Sequence, residues 1–156
     1  MGTGGRWVRS LSWQQRRWLA EAALLNAMFR VVVRVCDVHA AERLAARLAV
    51  VRVLRGHALI DSVELGESIR VASRLPLARV ACLPRSLTAL AMLGRRGVPA
   101  RLHLGVSSSD GSFAAHAWTT VDGVDITSEP CERGAFDELH SGSLGEGMFD
   151  RRVAVR

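Results

Sequence analysis

No lysine occurs in this 156-residue chain, so all 21 of its basic side chains are arginines. A GC-rich coding sequence produces such a bias, and by itself it selects no ligand. The formal net charge of +6 leans toward an acidic partner, whether nucleic acid, an anionic membrane surface or an acidic peptide. Cysteine is scarce as well. Cys36, Cys82 and Cys131 are odd in number, far apart, and without a CxxC pair or a histidine neighbour at zinc-ligand spacing. That argues against a zinc site and against a secreted disulfide framework. His39, His57, His103 and His140 stand singly and give no metal-ligand set, so neither a metal nor a cofactor is expected. The most apolar stretch, Ala22 to Cys36, is interrupted by Asn26, Arg30 and Arg34 and is too short for a free-standing bilayer span. Met1 to Ser12 offers arginines and tryptophans but no apolar h-region, so a cytoplasmic location is the expectation.

What is present is ordinary globular material: 49% hydrophobic and 23% charged residues, with no low-complexity tract and no internal repeat. A domain of about 150 residues buries most of the surface its unfolded chain exposes. One domain over 1–156 is therefore expected, with a helical half over 1–79, a reactive helix and sheet over 80–130, and a C-terminal tail over 131–156.

The helical half follows from caps and spacing. Ser12 and Gln15 have the form of a capping box, and no Pro or Gly interrupts Trp13 to Cys36. Asp37 can cap a second helix to about Arg55, with Leu44, Leu48, Val51 and Leu54 on one face. A third, Val63 to Leu75, carries Ile69 and Ala72 and is stopped by Pro76.

From Val80 the pattern changes. Cys82-Leu83-Pro84 opens an apolar helix that runs through Leu87, Leu90, Ala91 and Leu93 to Gly94 and Gly97. Past Pro99 the period becomes two: Arg101 to Val106, Phe113 to Val121 and Val124 to Thr127 read as strands, the last pair joined at Asp122-Gly123, a tight-hairpin signal. Helices followed by an antiparallel sheet make an α+β fold.

Two residues in this half suit nucleophilic chemistry. A thiol attacks as thiolate, and a helix N-terminus favours the anion, which is where Cys82 stands. A strand histidine facing that helix end can hold the proton and return it to a leaving amine, and His116 is on such a strand. The bland alternative is an inert buried cysteine and a structural histidine.

Ala81-Cys82-Leu83-Pro84-Arg85-Ser86-Leu87, Gly97-Val98-Pro99-Ala100, Leu104-Gly105-Val106 and Ala115-His116-Ala117-Trp118 with Asp122-Gly123 resemble the transglutaminase-like proteins of lasso-peptide biosynthesis. The match covers about Cys82 to Gly123. It implies a transglutaminase/papain-like core and a leader peptidase that cuts the leader from a ribosomally made precursor before a separate cyclase closes the ring. It also implies a Cys-His-Asp triad, and the aspartate's place falls about where Thr127 and Ser128 stand. If Asp122-Gly123 is a two-residue turn, Val121 pairs with Val124, Thr120 faces Asp125, and His116 faces Glu129. Glu129 is the expected third member and Asp125 the alternative, with Ser128 or water orienting the imidazole if neither does. Trp118 is expected to pack behind His116, and Arg85 and Ser86 to be candidates for substrate contact.

The resemblance implies further partners: the precursor peptide as substrate, a separate leader-binding protein carrying the winged-helix-like recognition module (RRE), and the lasso cyclase as a candidate. Nothing in Met1 to Arg79 reads as that module, and nucleic acid is not expected. Arg6, Trp7, Arg9, Trp13, Arg16, Arg17 and Trp18 form an aromatic and basic cluster for docking a partner protein or a membrane surface, with Trp7, Trp13 and Trp18 as anchors. An acyltransferase on the same residues and a non-catalytic basic helical binding module are the competing classes.

Overall fold

The computed structural model describes residues 12–50, 62–76, 78–109, 112–129 and 136–143. The first helix, α1, spans Trp13–Val35. Its start is the capping box: Gln15 N–H donates to Ser12 Oγ at 3.1 Å, and Ser12 N–H donates to Gln15 Oε1 at 2.8 Å. Trp18, Ala22, Leu25 and Phe29, three or four apart, face the core.

Helix α2 spans Val38–Val50. Asp37 caps it, its Oδ1 accepting from Ala40 N–H at 2.8 Å, and that hydrogen bond holds the exposed carboxyl below its usual pKa of 3.8. Ala41, Ala45 and Ala49 bury one small-residue face. The continuation toward Arg55, with Val51 and Leu54, lies outside the described residues. Helix α3, Ser62–Arg74, buries Leu65, Ile69 and Ala72.

Helix α4, Cys82–Gly94, is the centre of the molecule. Every residue from Pro84 to Leu93 is buried, because α1, α2 and α3 pack against it and β2 lies on its remaining side. Glu21 of α1 pairs with Arg95 (3.1 Å) and Arg96 (2.5 Å) just past its C-terminus. Gly97, at φ 74°, supplies the left-handed turn that leads out.

The antiparallel sheet has the order β3-β2-β1-β4, with β1 Arg101–Ser109, β2 Ser112–Val121, β3 Val124–Asp125 and β4 Asp137–Ser143. The hairpin turns at Asp122 (φ 50°) and Gly123 (φ 79°), both left-handed as a two-residue turn of this kind requires. Val121 pairs with Val124 and Thr120 with Asp125, as the hairpin signal implies. Two sequence expectations need correction. The strand read as Val124 to Thr127 ends at Asp125, and the segment read as a tail contains β4. Asp137, Glu138, Leu139 and Ser141 are exposed and show no alternation, so β4 owes its form to pairing with β1. One core joins the halves: Phe29, Leu65 and Ile69 of the helices are continuous with Leu102, Val121 and Ile126 around α4. Among the described residues, no helix is long and apolar enough to cross a membrane.

Candidate active site

Helix α4 begins at Cys82 itself. Its N-cap, Ala81, is extended (φ −75°, ψ −178°) and has no side-chain acceptor for the first-turn amides. Those N–H groups therefore face whatever stands before the helix, a setting able to hold an oxyanion. Cys82 is half-buried, whereas Cys36 is an exposed thiol at the end of α1 and Cys131 lies outside the described residues.

Ser86 is one turn into α4 and on the same side as Cys82. It is wholly buried, and its Oγ donates to the Ala117 carbonyl at 3.0 Å while its own carbonyl accepts from Thr119 Oγ1 at 3.0 Å. The thiol end of α4 is thereby fastened to the stretch of β2 that carries His116, with about 6 Å of helix rise between Ser86 and Cys82. Arg85 and Ser86, offered by the sequence as substrate contacts, are both buried in this packing. Their burial corrects that expectation.

This junction exists because β3 is short. Beyond Asp125 no strand among the described residues lies beside the edge of β2, yet Ala117 and Thr119 are buried there and their backbone groups need partners. Side chains and one loop amide supply them: Ser86 Oγ serves Ala117, Thr127 Oγ1 accepts from Thr119 N–H at 2.9 Å, and Ile126 N–H donates to the Thr119 carbonyl at 3.1 Å.

The bend that ends β3 is an Asx turn. Asp125 Oδ1 accepts from Thr127 N–H (2.9 Å) and Ser128 N–H (3.0 Å), competing successfully with the ladder. The extrapolated register, which put Glu129 opposite His116, therefore stops at Asp125. The bend brings Ser128 Oγ to 2.9 Å from His116 Nε2, and both groups are buried. Glu129 is gripped by Arg74 of α3, at 2.5 Å from Nη2 and 3.2 Å from Nε. Asp125 shapes the turn that presents Ser128. Helix α3 holds the same segment twice more: Arg70 Nη1 donates to the Ile126 carbonyl at 2.7 Å, and Gly66 packs so closely on that carbonyl that a Cβ would collide with it.

Two aromatic rings, which also lie against each other, hold the His116 ring. Trp118 stacks on it at 5.8 Å between centroids and 12° between planes, and Phe136 at 5.1 Å and 29°. Trp118 packs against the histidine as its place in His-Ala-Trp suggests. Phe136 had no sequence signal: it stands alone in the presumed tail, and the return of β4 along β1 brings it there. Ser128 was legible as the place where a triad aspartate was missing and as the fallback for orienting the imidazole. Among the described residues no group of three or more His, Cys, Asp or Glu could hold a metal ion.

A family model described as the transglutaminase-like superfamily matches residues 23–141, from α1 through most of β4. No curated protein and no solved structure matches the chain.

Proposed function

The chain belongs to the transglutaminase-like superfamily, which generally contains cysteine-protease or acyltransferase enzymes, and from that premise we propose that it is a cysteine peptidase that removes the leader from a lasso-peptide precursor. One observation carries the chemistry: the Cys82 end of α4 is tied through Ser86 to the strand that carries His116, whose Nε2 is met by Ser128. The choice of substrate is supported by the motifs around Cys82 and His116, which resemble the lasso-peptide maturation proteins.

The proposed roles are these. The Cys82 thiolate attacks the scissile carbonyl carbon, forming a C–S bond, and the oxyanion is met by first-turn N–H groups of α4. Proton exchange is assigned to His116 Nδ1, since Nε2 faces Ser128 and in this tautomer donates to its Oγ. The imidazolium protonates the leaving amine as the C–N bond breaks. Water, deprotonated by the same imidazole, then attacks the thioester and releases the acid and the thiol. Ser128 meets Nε2 with a neutral hydroxyl, whereas a triad aspartate there would also stabilise the imidazolium.

A separate leader-binding protein is proposed to deliver the precursor. The anchors available to it differ from those expected, because Trp18 is 6% exposed and belongs to the core while Trp13 is 75% exposed. Trp7, Arg6 and Arg9 lie outside the described residues. Incubation with a leader-containing precursor, with and without that partner, tests the reading by mass spectrometry. Cleavage between leader and core should vanish in Cys82→Ala and after iodoacetamide, and should survive Cys36→Ala and Cys131→Ala. Activity in Cys82→Ala would sink the proposal, and preferential transfer of the acyl group to an added amine would replace peptidase with acyltransferase.

A further inference from the structure

A second imidazole stands beside the first. His103 of β1 is the cross-strand partner of Trp118, and their rings stack at 5.3 Å with 8° between planes. Trp118 therefore contacts two histidine rings, His103 and His116, each close to parallel with the indole. Phe136 closes the cluster, 5.1 Å from the His116 ring and 6.4 Å from that of Trp118 between centroids. All four side chains share the sheet face opposite to the one on which Leu102 and Thr119 are buried. Gly105, the partner of His116 in the register, makes room for them: a Cβ there would lie 2.9 Å from Phe136 Cβ and 3.0 Å from two atoms of the Trp118 ring.

His103 differs from a packing ring because both its nitrogens are engaged. Nδ1 is 2.9 Å from Glu138 Oε1 on β4, and Nε2 is 2.9 Å from Thr120 Oγ1 on β2. A ring held at both nitrogens by groups on two different strands cannot turn about χ2 without losing a hydrogen bond. Thr120 is two residues beyond Trp118, and His116 two residues before it. The clamp thus presses the indole from the side away from His116.

We propose that His103 is a positioning residue: clamped by Glu138 and Thr120, it sets the plane of Trp118, and Trp118 with Phe136 sets the plane of His116. The inference rests on the reading of His116 as general base. Proton transfer depends on alignment, and a misplacement of about 1 Å can cost up to about 10²-fold. A neutral hydroxyl at Nε2 restrains the imidazole less than an ion-paired carboxylate does. Ring stacking therefore carries more of the alignment here, and the clamp on His103 decides where the stack sits.

The test compares wild type with His103→Ala, His103→Phe and Glu138→Gln. Three quantities are read: kcat and KM on the cleaved peptide, the rate of Cys82 alkylation by iodoacetamide, and the ¹⁵N–¹H ring signals of His116. His103→Ala should lower kcat about tenfold with KM within about twofold, and should shift and broaden the His116 signals. His103→Phe, which keeps the stack but not the clamp, should recover part of the loss. Glu138→Gln, at a side chain 44% exposed, should give a smaller change in the same direction and keeps the test valid if His103→Ala does not fold. Unchanged His116 signals and an unchanged alkylation rate in both His103→Ala and Glu138→Gln would overturn the proposal. So would a kcat loss no larger than the unfolded fraction. If wild type cleaves no peptide while the His116 signals still move with His103, the peptidase reading falls and the positioning stands.

Discussion

Around the junction of α4 with the sheet, Ser86, Thr119, Thr127, Ser128 and His116 are buried, and each has a hydrogen-bond partner. In the helical half Asn26 of α1 is as deeply buried, and neither atom of its amide has one. The difference is instructive. Near Cys82 and His116, polar groups stand where a strand would, so each satisfied bond also fixes the place of a candidate reacting group. Among the helices no such bonding is needed, because side-chain packing at three- and four-residue spacing already specifies the arrangement, and a stray amide is tolerated at a cost.

The largest expected effect comes from breaking the polar side of this comparison. His116→Ala should lower kcat/KM by roughly 10² to 10⁴ with little change in the far-ultraviolet spectrum. Ser128→Ala should cost about tenfold, the equivalent of one hydrogen bond near 1.4 kcal/mol. Glu129→Gln should cost less, since its carboxylate is paired with Arg74 of α3. A larger loss for Glu129→Gln than for Ser128→Ala in steady-state kinetics would reverse the assignment.

Next in size is the seam between the halves. Gly66→Ala places a methyl group against the Ile126 carbonyl, where backbone must move. The penalty of about 1–3 kcal/mol for overpacking outweighs the ~1 kcal/mol that alanine gains over glycine in a helix. Urea denaturation should show a lower midpoint, and kcat should fall in the folded protein because Ser128 shifts with Ile126. A full-rate enzyme that is merely less stable would show that the loop adjusts independently of α3.

Asn26→Leu sharpens the contrast from the other side. It removes two unpaired buried polar atoms at similar volume, and should stabilise the fold by about 1 kcal/mol, or roughly 2–4 °C in Tm, with kcat unchanged. A drop in Tm would mean that the amide is satisfied in solution. The smallest effect belongs to Asp37. Its pKa is lowered in the folded state chiefly by the Ala40 N–H, so its contribution is complete at neutral pH and fades as pH falls below 3.8 and through the lowered value. Asp37→Asn should leave the midpoint of thermal unfolding at pH 7 almost unmoved and reduce its acid sensitivity slightly.

Much was legible in the residues alone. The capping box at Ser12, the stop at Pro76, the cysteine-headed helix from Cys82 to Gly94 and the hairpin at Asp122-Gly123 are local signals, and each depends on contacts within a few residues along the chain. Periodicity separated the helical half from the sheet for the same reason. The pairing of Cys82 with His116 as candidates also needed no coordinates, since a helix N-terminus and a strand histidine carry their chemical character with them. What surrounds them did not follow. The choice among Glu129, Asp125 and Ser128 depended on where the ladder stops, and it stops because the Asp125 carboxylate captures two amides that the strand would otherwise use. Phe136, Glu138 and the whole of β4 reach the site by pairing with β1, a contact across more than 30 residues that has no trace in their own alternation. Local propensity is written along the chain, whereas the competition between a ladder and a side chain, or between a tail and a strand, is decided by the free energy of the assembled core.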